Sequence, residues 1–323
     1  MKVSIIGAGG RVGSNAAFAL QCAGIVSEIH LLDANENTAR GEALDLLHGT
    51  SLAADQKIYA GSYDRCADSD LICITAGLRR KPDESRLDLI TRNVELFKQI
   101  LDSLLTLPLR DETIVFVVSN PVDLLTRLAI DHLHHHPSRV LGLGTQLDTA
   151  RFRSLIATET HLPPSQIKAL ILGEHGDSMV PIWSSATVAG VPLIKLPDFG
   201  PTAQQRVFER TKNSGAEVIA LKGGAGWAVA LGIAEVIHAI ALDQPKVLPL
   251  STQLDGEYDI RDACISVPTM IGNGGIKQRI EVELWPRELT GLQRSAAQLE
   301  DAYASIRGMR LQPMHAWKTR ATA

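Results

Sequence analysis

Short apolar segments alternate with segments of helical periodicity over roughly the first 145 residues of this 323-residue chain. Several of the apolar segments lack the alternation of a half-exposed strand, which is typical of strands covered on both faces. Six strands are predicted, at Lys2–Ile6, Glu28–Leu32, Lys57–Tyr59, Leu71–Thr75, Thr113–Val118 and Arg139–Leu141. The helices predicted between them cover residues 11–23, 36–48, 86–105 and 121–135, the last with Pro121 at its first helical position. Strands with helical crossovers predict an α/β fold with a doubly wound parallel Rossmann sheet.

Beyond residue 145 strands and helices no longer alternate strictly. The sequence predicts a helix over 148–161, the strand Ile167–Leu172, one helical stretch over 202–242, strands over 247–250, 258–267 and 277–285, and a final helix over 288–307. This order is typical of an α+β domain. We therefore expect a Rossmann domain over residues 1–143 and an α+β domain over 144–323, with the functional site between them at the carboxyl ends of the strands.

Composition argues against several kinds of partner. The formal net charge of −4 gives no basic field for nucleic acid or for an anionic membrane surface. No apolar stretch is long enough to cross a bilayer, and the N-terminus lacks the features of a signal peptide, so a cytoplasmic protein is expected. The four cysteines stand far apart, which favours reduced thiols. The histidines at 132 and 134–136 match no zinc pattern, and no metal is expected.

The first strand runs directly into a glycine-rich turn, which a helix follows. Its residues are Gly7, Ala8, Gly9, Gly10, Arg11, Val12 and Gly13. Such a turn lets phosphates approach backbone N–H groups at the positive end of a helix, although a structural strand–turn–helix unit is the alternative. Asp33 ends the second strand about 20 residues further on, where a carboxylate can accept from ribose hydroxyls. The pair predicts a dinucleotide site that prefers NAD to NADP, because Asp33 repels a 2′-phosphate, although Arg11 and Arg40 could still bind one.

Five further segments carry residues suited to chemistry. They are TAGLRRKPDESRLDL (75–89), VSNPVD (118–123), GTQLDTARFR (144–153), ILGEHGDSMVP (171–181) and LKGGAGW (221–227). Together with GAGGRVG and LLDAN, they resemble the lactate/malate dehydrogenase family in content, order and spacing, over about residues 2–235. The resemblance implies an NAD-dependent 2-hydroxy acid dehydrogenase, with NAD bound by the first domain and the substrate by the second.

Hydride transfer to a 2-oxo acid needs a proton donor at the carbonyl oxygen, and His175 is the best candidate. Asp148 would orient His175 and stabilise its protonated form, although helix capping or a pair with Arg151 would also explain it. Arg151 offers a bidentate fork to the substrate's C1 carboxylate. By resemblance, Arg86 polarises the carbonyl from a closing lid, and Asn120 hydrogen-bonds the substrate beside the nicotinamide.

The expected cofactor residues lie in the glycine-rich turn, at the ends of three strands and on one helix. They are Gly7, Gly9, Gly10, Arg11, Val12, Gly13 and Asp33, together with Thr75, Ala76, Gly77, Asn93, Val118 and Asn120.

Two positions favour malate and oxaloacetate as the substrate pair. Arg80 falls where malate-type members of the family carry arginine, and this second cation would pair with a C4 carboxylate. Ala225 replaces the threonine typical of lactate enzymes and leaves room for a longer acid. Glu84 and Arg79 depart from the malate pattern, so L-lactate dehydrogenase is the alternative. The resemblance is thus nearest to the lactate-dehydrogenase-like malate dehydrogenases, which implies a role in the tricarboxylic acid cycle.

Other classes fit less well. The NAD-dependent glycosidases of related fold need a metal-binding cysteine, and the corresponding stretch, Gly142–Thr145, has none. A non-catalytic nucleotide-binding protein has no need for an acid–base pair such as Asp148 and His175. The resemblance also implies a homo-oligomer, a tetramer or a dimer, with the helix that contains His48 at a subunit interface.

Overall fold

The computed structural model describes residues 1–79 and 83–307, and of Arg86 it describes the backbone alone. Six parallel strands form its central sheet. They are β1 (Lys2–Ile6), β2 (Glu28–Leu32), β3 (Lys57–Ala60), β4 (Leu71–Ile74), β5 (Ile114–Val117) and β6 (Val140–Gly142). Their order is β3-β2-β1-β4-β5-β6, so the chain reverses direction across the sheet between β3 and β4. This order confirms the doubly wound Rossmann fold.

Four helices cover the two faces of these strands. They are α1 (Arg11–Ala23), α2 (Glu36–Gly49), α3 (Arg86–Leu105) and α4 (Val122–Leu133). A capping box starts α3, because Ser85 accepts from the Asp88 N–H while Asp88 accepts from the Ser85 N–H. Pro121 precedes α4 in an extended conformation with ψ of 112°, so the prediction that it opens the helix is wrong.

The described residues of the second half, up to Arg307, add four helices and six strands. They are α5 (Gln146–Thr160), β7 (Ile167–Leu172), β8 (Val180–Val188), β9 (Val191–Pro192), α6 (Pro201–Lys222), α7 (Trp227–Ala241), β10 (Lys246–Asp255), β11 (Arg261–Gly272), β12 (Gly275–Arg279) and α8 (Pro286–Arg307). Strands β7, β8 and β9 form a small antiparallel sheet, whereas β10, β11 and β12 extend the Rossmann sheet to nine strands. Ser251 of β10 pairs with Gly142 of β6, where a Cβ on the glycine would lie 2.9 Å from the Ser251 Cβ.

Three differences from the sequence-based expectation have physical causes. The helix predicted over 202–242 is two helices, because Gly223 and Gly224 take φ values of 78° and 141° and end α6. The strand predicted over 277–285 ends at Arg279. Beyond it a side chain takes the place of the neighbouring strand as hydrogen-bond partner, since the Val282 N–H donates to the Tyr258 hydroxyl. Strands β8 and β9 were missed, and β8 faces both the core and solvent along its length.

In the central strands other than β3, neighbouring residues enter two different hydrophobic cores, as the pleat of a strand requires. Ile72 and Ile74 pack with α3, α4 and α8, whereas Leu71 and Cys73 pack with α1, α2 and α7. A third core, centred on Phe152, joins α5 to β7, β8 and α6. Among the described residues, no helix is long and apolar enough to cross a membrane.

Three polar side chains, Ser4 of β1, His30 of β2 and Ser69 before β4, form a buried cluster. His30 is fully buried, and its Nδ1 lies 2.8 Å from the Ser4 hydroxyl, which in turn lies 2.7 Å from the Ser69 hydroxyl. Burial lowers the pKa of His30 from 6.5 to about 4. The folded chain therefore keeps this imidazole neutral at pH values where the unfolded chain protonates it.

We predict that His30 makes the fold sensitive to acid. As the pH falls from 6.5 towards 4, the unfolded state gains a proton that the folded state excludes, so the free energy of unfolding drops by at most about 1.4 kcal/mol per pH unit. Urea unfolding of wild type and His30→Gln at pH 7.0, 5.5 and 4.5 measures this. The stability gap between the two proteins should narrow or reverse with acid, and an unchanged gap would show that His30 does not titrate in this way.

Candidate active site

His175 lies in the segment that follows β7, and its backbone is fixed from two sides. Its N–H donates to the Asp123 carboxylate at 2.8 Å, while the N–H of the preceding Glu174 donates to the Ser295 hydroxyl at 2.9 Å. Gly173 takes a φ of 93°, which turns the chain out of the strand. Helices α4 and α8 thus both hold the segment that carries the imidazole.

The Asp148 carboxylate joins His175 to Arg151. One oxygen lies 2.5 Å from His175 Nδ1, and the other accepts from Arg151 Nη1 at 3.0 Å. The side chains of His175 and Arg151 are 23% and 17% exposed, whereas that of Asp148 is 1% exposed. The prediction that Asp148 orients His175 and its alternative, a pair with Arg151, therefore both describe contacts that are present.

The charges of Asp148, His175 and Arg151 decide which of these side chains is ionised. Burial alone would raise the pKa of Asp148, but His175 and Arg151 hold it below its usual range. Burial alone would lower the pKa of His175, but the Asp148 carboxylate raises it above 6.5. An ionised Asp148 must accept from Nδ1, which leaves Nε2 of His175 as the nitrogen that can exchange a proton.

Asp123 is a site residue that the sequence analysis missed. Its side chain is buried in the first turn of α4, and burial raises its pKa to about 6. An acid in the first turn of a helix is ordinary. The signal that could have identified it was its place in the segment VSNPVD, directly after a strand end.

The glycine-rich turn approaches its neighbours too closely for side chains. A Cβ on Gly7 would lie 2.5 Å from the Ala76 backbone nitrogen, and one on Gly13 would lie 2.7 Å from the Ala8 Cα. Asp33 stands beside the turn and accepts from the Gly9 N–H at 2.9 Å. Gly10 precedes α1 without a side-chain cap. Backbone N–H groups at the helix start therefore remain available to a pyrophosphate, and the cradle fits NAD.

The strand ends supply the other predicted cofactor residues. Thr75 donates from its hydroxyl to the Ile6 and Gly7 carbonyls, and the Asn93 side chain accepts from the Leu78 N–H at 2.8 Å. These contacts fix the segment that contains Ala76 and Gly77. Val118 N–H pairs with the Ile74 carbonyl at 2.9 Å, and Asn120 is exposed two residues later.

The side chain of Arg11 contacts the end of α6 and the loop after it, and not the glycine-rich turn. Its Nη1 donates to the carbonyls of Lys222 and Gly224, at 2.6 and 2.7 Å. Lys222 is the last residue of α6, and Gly224 belongs to the loop between α6 and α7, where Ala225 is half-buried. Val12, the next residue, is likewise half-buried at the start of α1.

Two predicted substrate residues lie outside what the structure describes: Arg80 as a whole and the side chain of Arg86. Nearby, Glu84 pairs with Arg92 of α3 at 2.5 Å. Of the histidine tract, His132 pairs with Asp102 at 2.7 Å, and His136 contacts the Ser138 hydroxyl.

The whole chain is similar to known dehydrogenases. The family profile for the lactate/malate dehydrogenase NAD binding domain matches residues 1–142, and that for the alpha/beta C-terminal domain matches residues 145–307. An L-lactate dehydrogenase from Synechococcus sp. (strain JA-3-3Ab) is 39% identical over 95% of this chain and 100% of its own length. One from Bacillus caldotenax is 41% identical over 94% of this chain and 96% of its own.

Solved structures agree with these relatives. The minor L-lactate dehydrogenase from Enterococcus mundtii, in a ligand-bound form, has a TM-score of 0.91 and 34% identity, and the match covers 95% of this chain and 99% of that one. A lactate dehydrogenase from a deep-sea metagenome library has a TM-score of 0.90 and 32% identity, over 95% and 98% of the two chains.

These relatives show that the prediction of malate dehydrogenase, with its role in the tricarboxylic acid cycle, is wrong. That prediction relied on two positions, Arg80 and Ala225. A single arginine in the sequence does not establish a site for a second substrate carboxylate, because a protein carboxylate can pair with it instead.

Both halves of the chain thus match one family, and the cradle around Gly7 and Asp33 fits the NAD that this family binds. The chain belongs to the lactate/malate dehydrogenase family, and it is an NAD-dependent 2-hydroxy acid dehydrogenase.

Proposed function

We propose that the protein is an L-lactate dehydrogenase that interconverts pyruvate and L-lactate. The observation that carries the chemistry is the buried Asp148 carboxylate between His175 and Arg151, because it supplies a proton donor and a carboxylate-binding cation side by side. Support for the substrate comes from the relatives at 38–41% identity that are named L-lactate dehydrogenase.

Each residue of this group has a distinct task in the proposed mechanism. Arg151 binds the substrate's carboxylate, and His175 Nε2 donates a proton to the carbonyl oxygen during reduction and takes it back during oxidation. Asp148 holds the imidazole in orientation and stabilises its charged form. NAD, when bound, supplies or accepts the hydride. Arg86 and Asn120 are proposed, on the family resemblance, to polarise the carbonyl and to hydrogen-bond the substrate.

We also propose that residues 1–143 bind NAD through the glycine-rich turn, Asp33 and the segment around Thr75, and that residues 144–323 form the substrate domain. The close approach of Gly7 to Ala76 supports this division, since it creates the cradle within the first part. The four free cysteines are consistent with the predicted cytoplasmic location.

The substrate proposal is tested by NADH oxidation with pyruvate and with oxaloacetate in parallel, and with NADPH as the cofactor control. We expect kcat/KM to be higher with pyruvate than with oxaloacetate, and higher with NADH than with NADPH, because Asp33 stands where a 2′-phosphate would approach. NADH binding without turnover of pyruvate, or a clear preference for oxaloacetate, would overturn the lactate assignment.

The shared carboxylate predicts a pH dependence. Reduction needs a protonated His175, whose pKa lies above 6.5, so kcat/KM for pyruvate should fall as the pH rises through that pKa, and lactate oxidation should rise. Asp148→Asn removes the stabilising charge, so the pH profile should move to lower pH and kcat/KM at pH 7 should fall at least about 100-fold.

A matched control exists on the surface. Asp102 also pairs with a histidine, His132, but its side chain is 65% exposed, and Asp102→Asn should leave kcat/KM and its pH profile unchanged. A pH profile of Asp148→Asn identical to that of wild type would show that this carboxylate does not set the proton affinity of His175.

A homo-oligomer is proposed as well. Large apolar side chains are exposed on three helices and one turn: Phe18 on α1, Leu44 and Leu47 on α2, Leu52 after α2, and Trp227 and Leu231 on α7. Such exposure favours burial against another subunit. The mass in solution at micromolar concentration should be that of two or more chains of 34.9 kDa. A mass of 34.9 kDa, that of the monomer, would contradict this proposal.

A further inference from the structure

The loop between α6 and α7 has little of its own to fix its shape. It consists of Gly223, Gly224, Ala225 and Gly226, so its side chains amount to one methyl group. Glycine adopts many backbone conformations at little cost, and Gly223 and Gly224 both take positive φ values. The two ends of the loop are held by the helices: the Gly223 N–H donates to the Ile219 carbonyl of α6 at 2.8 Å, and the Gly226 carbonyl accepts from the Ala230 N–H of α7 at 3.0 Å. The position of Ala225 therefore depends on contacts from outside the loop.

Arg11 supplies those contacts from the other end of the chain. Its guanidinium donates to the Lys222 carbonyl and the Gly224 carbonyl, which flank the end of α6. The last carbonyls of a helix have no donor within the helix, and the negative end of its dipole attracts a cation. Both effects favour the arginine at this point, and Gly224, the residue before Ala225, is one of the two that it holds.

The loop also lies directly against α1. A Cβ on Gly226 would lie 3.0 Å from Arg11 Cγ and would collide with Asn15 Nδ2. Arg11 is the first residue of α1 and belongs to the glycine-rich turn proposed to bind NAD. One side chain thus connects the cofactor turn to the loop that carries Ala225.

The same arginine is unfavourable for α1 itself. A cation at a helix N-terminus opposes the helix dipole, and the first turn of α1 contains no acidic residue. Within the described parts of the chain, no carboxylate forms an ion pair with Arg11. An anion at the start of α1, such as the pyrophosphate of NAD, would compensate this charge.

From these contacts we infer that Arg11 is a positioning residue that ties the Ala225 loop to the cofactor turn, so that dinucleotide binding orders the substrate side of the pocket. The inference rests on the proposed function for its substrate. Arg11 itself takes no part in the transfer of the proton.

The test compares three variants of the full chain. Arg11→Met keeps the aliphatic stem but removes both hydrogen bonds, and Arg11→Lys retains a charge that can reach one carbonyl at a time. Arg210→Met is the matched control, because Arg210 is an exposed residue of α6 itself. NADH affinity is measured by fluorescence, KM for pyruvate is measured at saturating NADH, and backbone amide exchange is followed over residues 223–227 with and without NADH.

For Arg11→Met we expect KM for pyruvate at saturating NADH to rise at least about tenfold. NADH should slow amide exchange over residues 223–227 in wild type and in Arg210→Met, but much less in Arg11→Met, with Arg11→Lys between them. A residue that only bound the cofactor would change NADH affinity and leave KM for pyruvate at saturation intact. That result, or equal protection of the loop by NADH in all variants, would overturn the inference.

Failure of the proposed function can be distinguished from failure of this inference. If wild type binds NADH but does not reduce pyruvate, the lactate assignment falls, and the amide-exchange comparison still decides the role of Arg11. If pyruvate is reduced but the loop responds to NADH equally with and without Arg11, the enzyme assignment stands and the inference falls.

Discussion

The site depends on one buried negative charge. Asp148 is sealed from solvent, and a carboxylate in such a place is tolerated only when cations and donors surround it. His175 and Arg151 meet that requirement. Arg151 lies one turn after Asp148 on α5, and His175 contacts the same carboxylate from the segment after β7. The side chains proposed to hold the substrate and to move its proton are therefore positioned by the need to satisfy a single carboxylate.

Other buried groups maintain this arrangement from greater distances. Asp123, at the start of α4, and Ser295, on α8, both fix the backbone around His175. Together with Asp148 on α5, these two residues come from three separate parts of the chain, which means that the imidazole is placed by the packing of the whole fold. A change in how α4 and α8 pack would move His175 without altering any residue that contacts substrate.

The hydrophobic pattern of the sequence predicted the strands and helices, whose formation depends on residues close together in the chain. The strands β1 to β6 and the helices between them could be predicted because a strand buried on both faces needs an unbroken apolar segment. His175, Asp148 and Arg151 could be predicted as site residues because they lie in segments that resemble the family and their residue types suit the chemistry. Arg11 and Asp123 could not be assigned their contacts, since these join residues far apart in the chain. The substrate was predicted wrongly because the residue types at positions 80 and 225 do not determine by themselves whether a second carboxylate is bound.

The junction between β6 and β10 has a consequence for how the chain is made. Until residues 246–255 have been synthesised, β6 is an edge strand with unpaired backbone groups on one side. The nucleotide-binding half therefore emerges from the ribosome with an exposed edge strand that can pair with other chains. More than a hundred residues must be synthesised after β6 before β10 pairs with it. The extended sheet that gives the finished enzyme its continuity thus leaves the nascent chain with a long interval in which it depends on protection from aggregation.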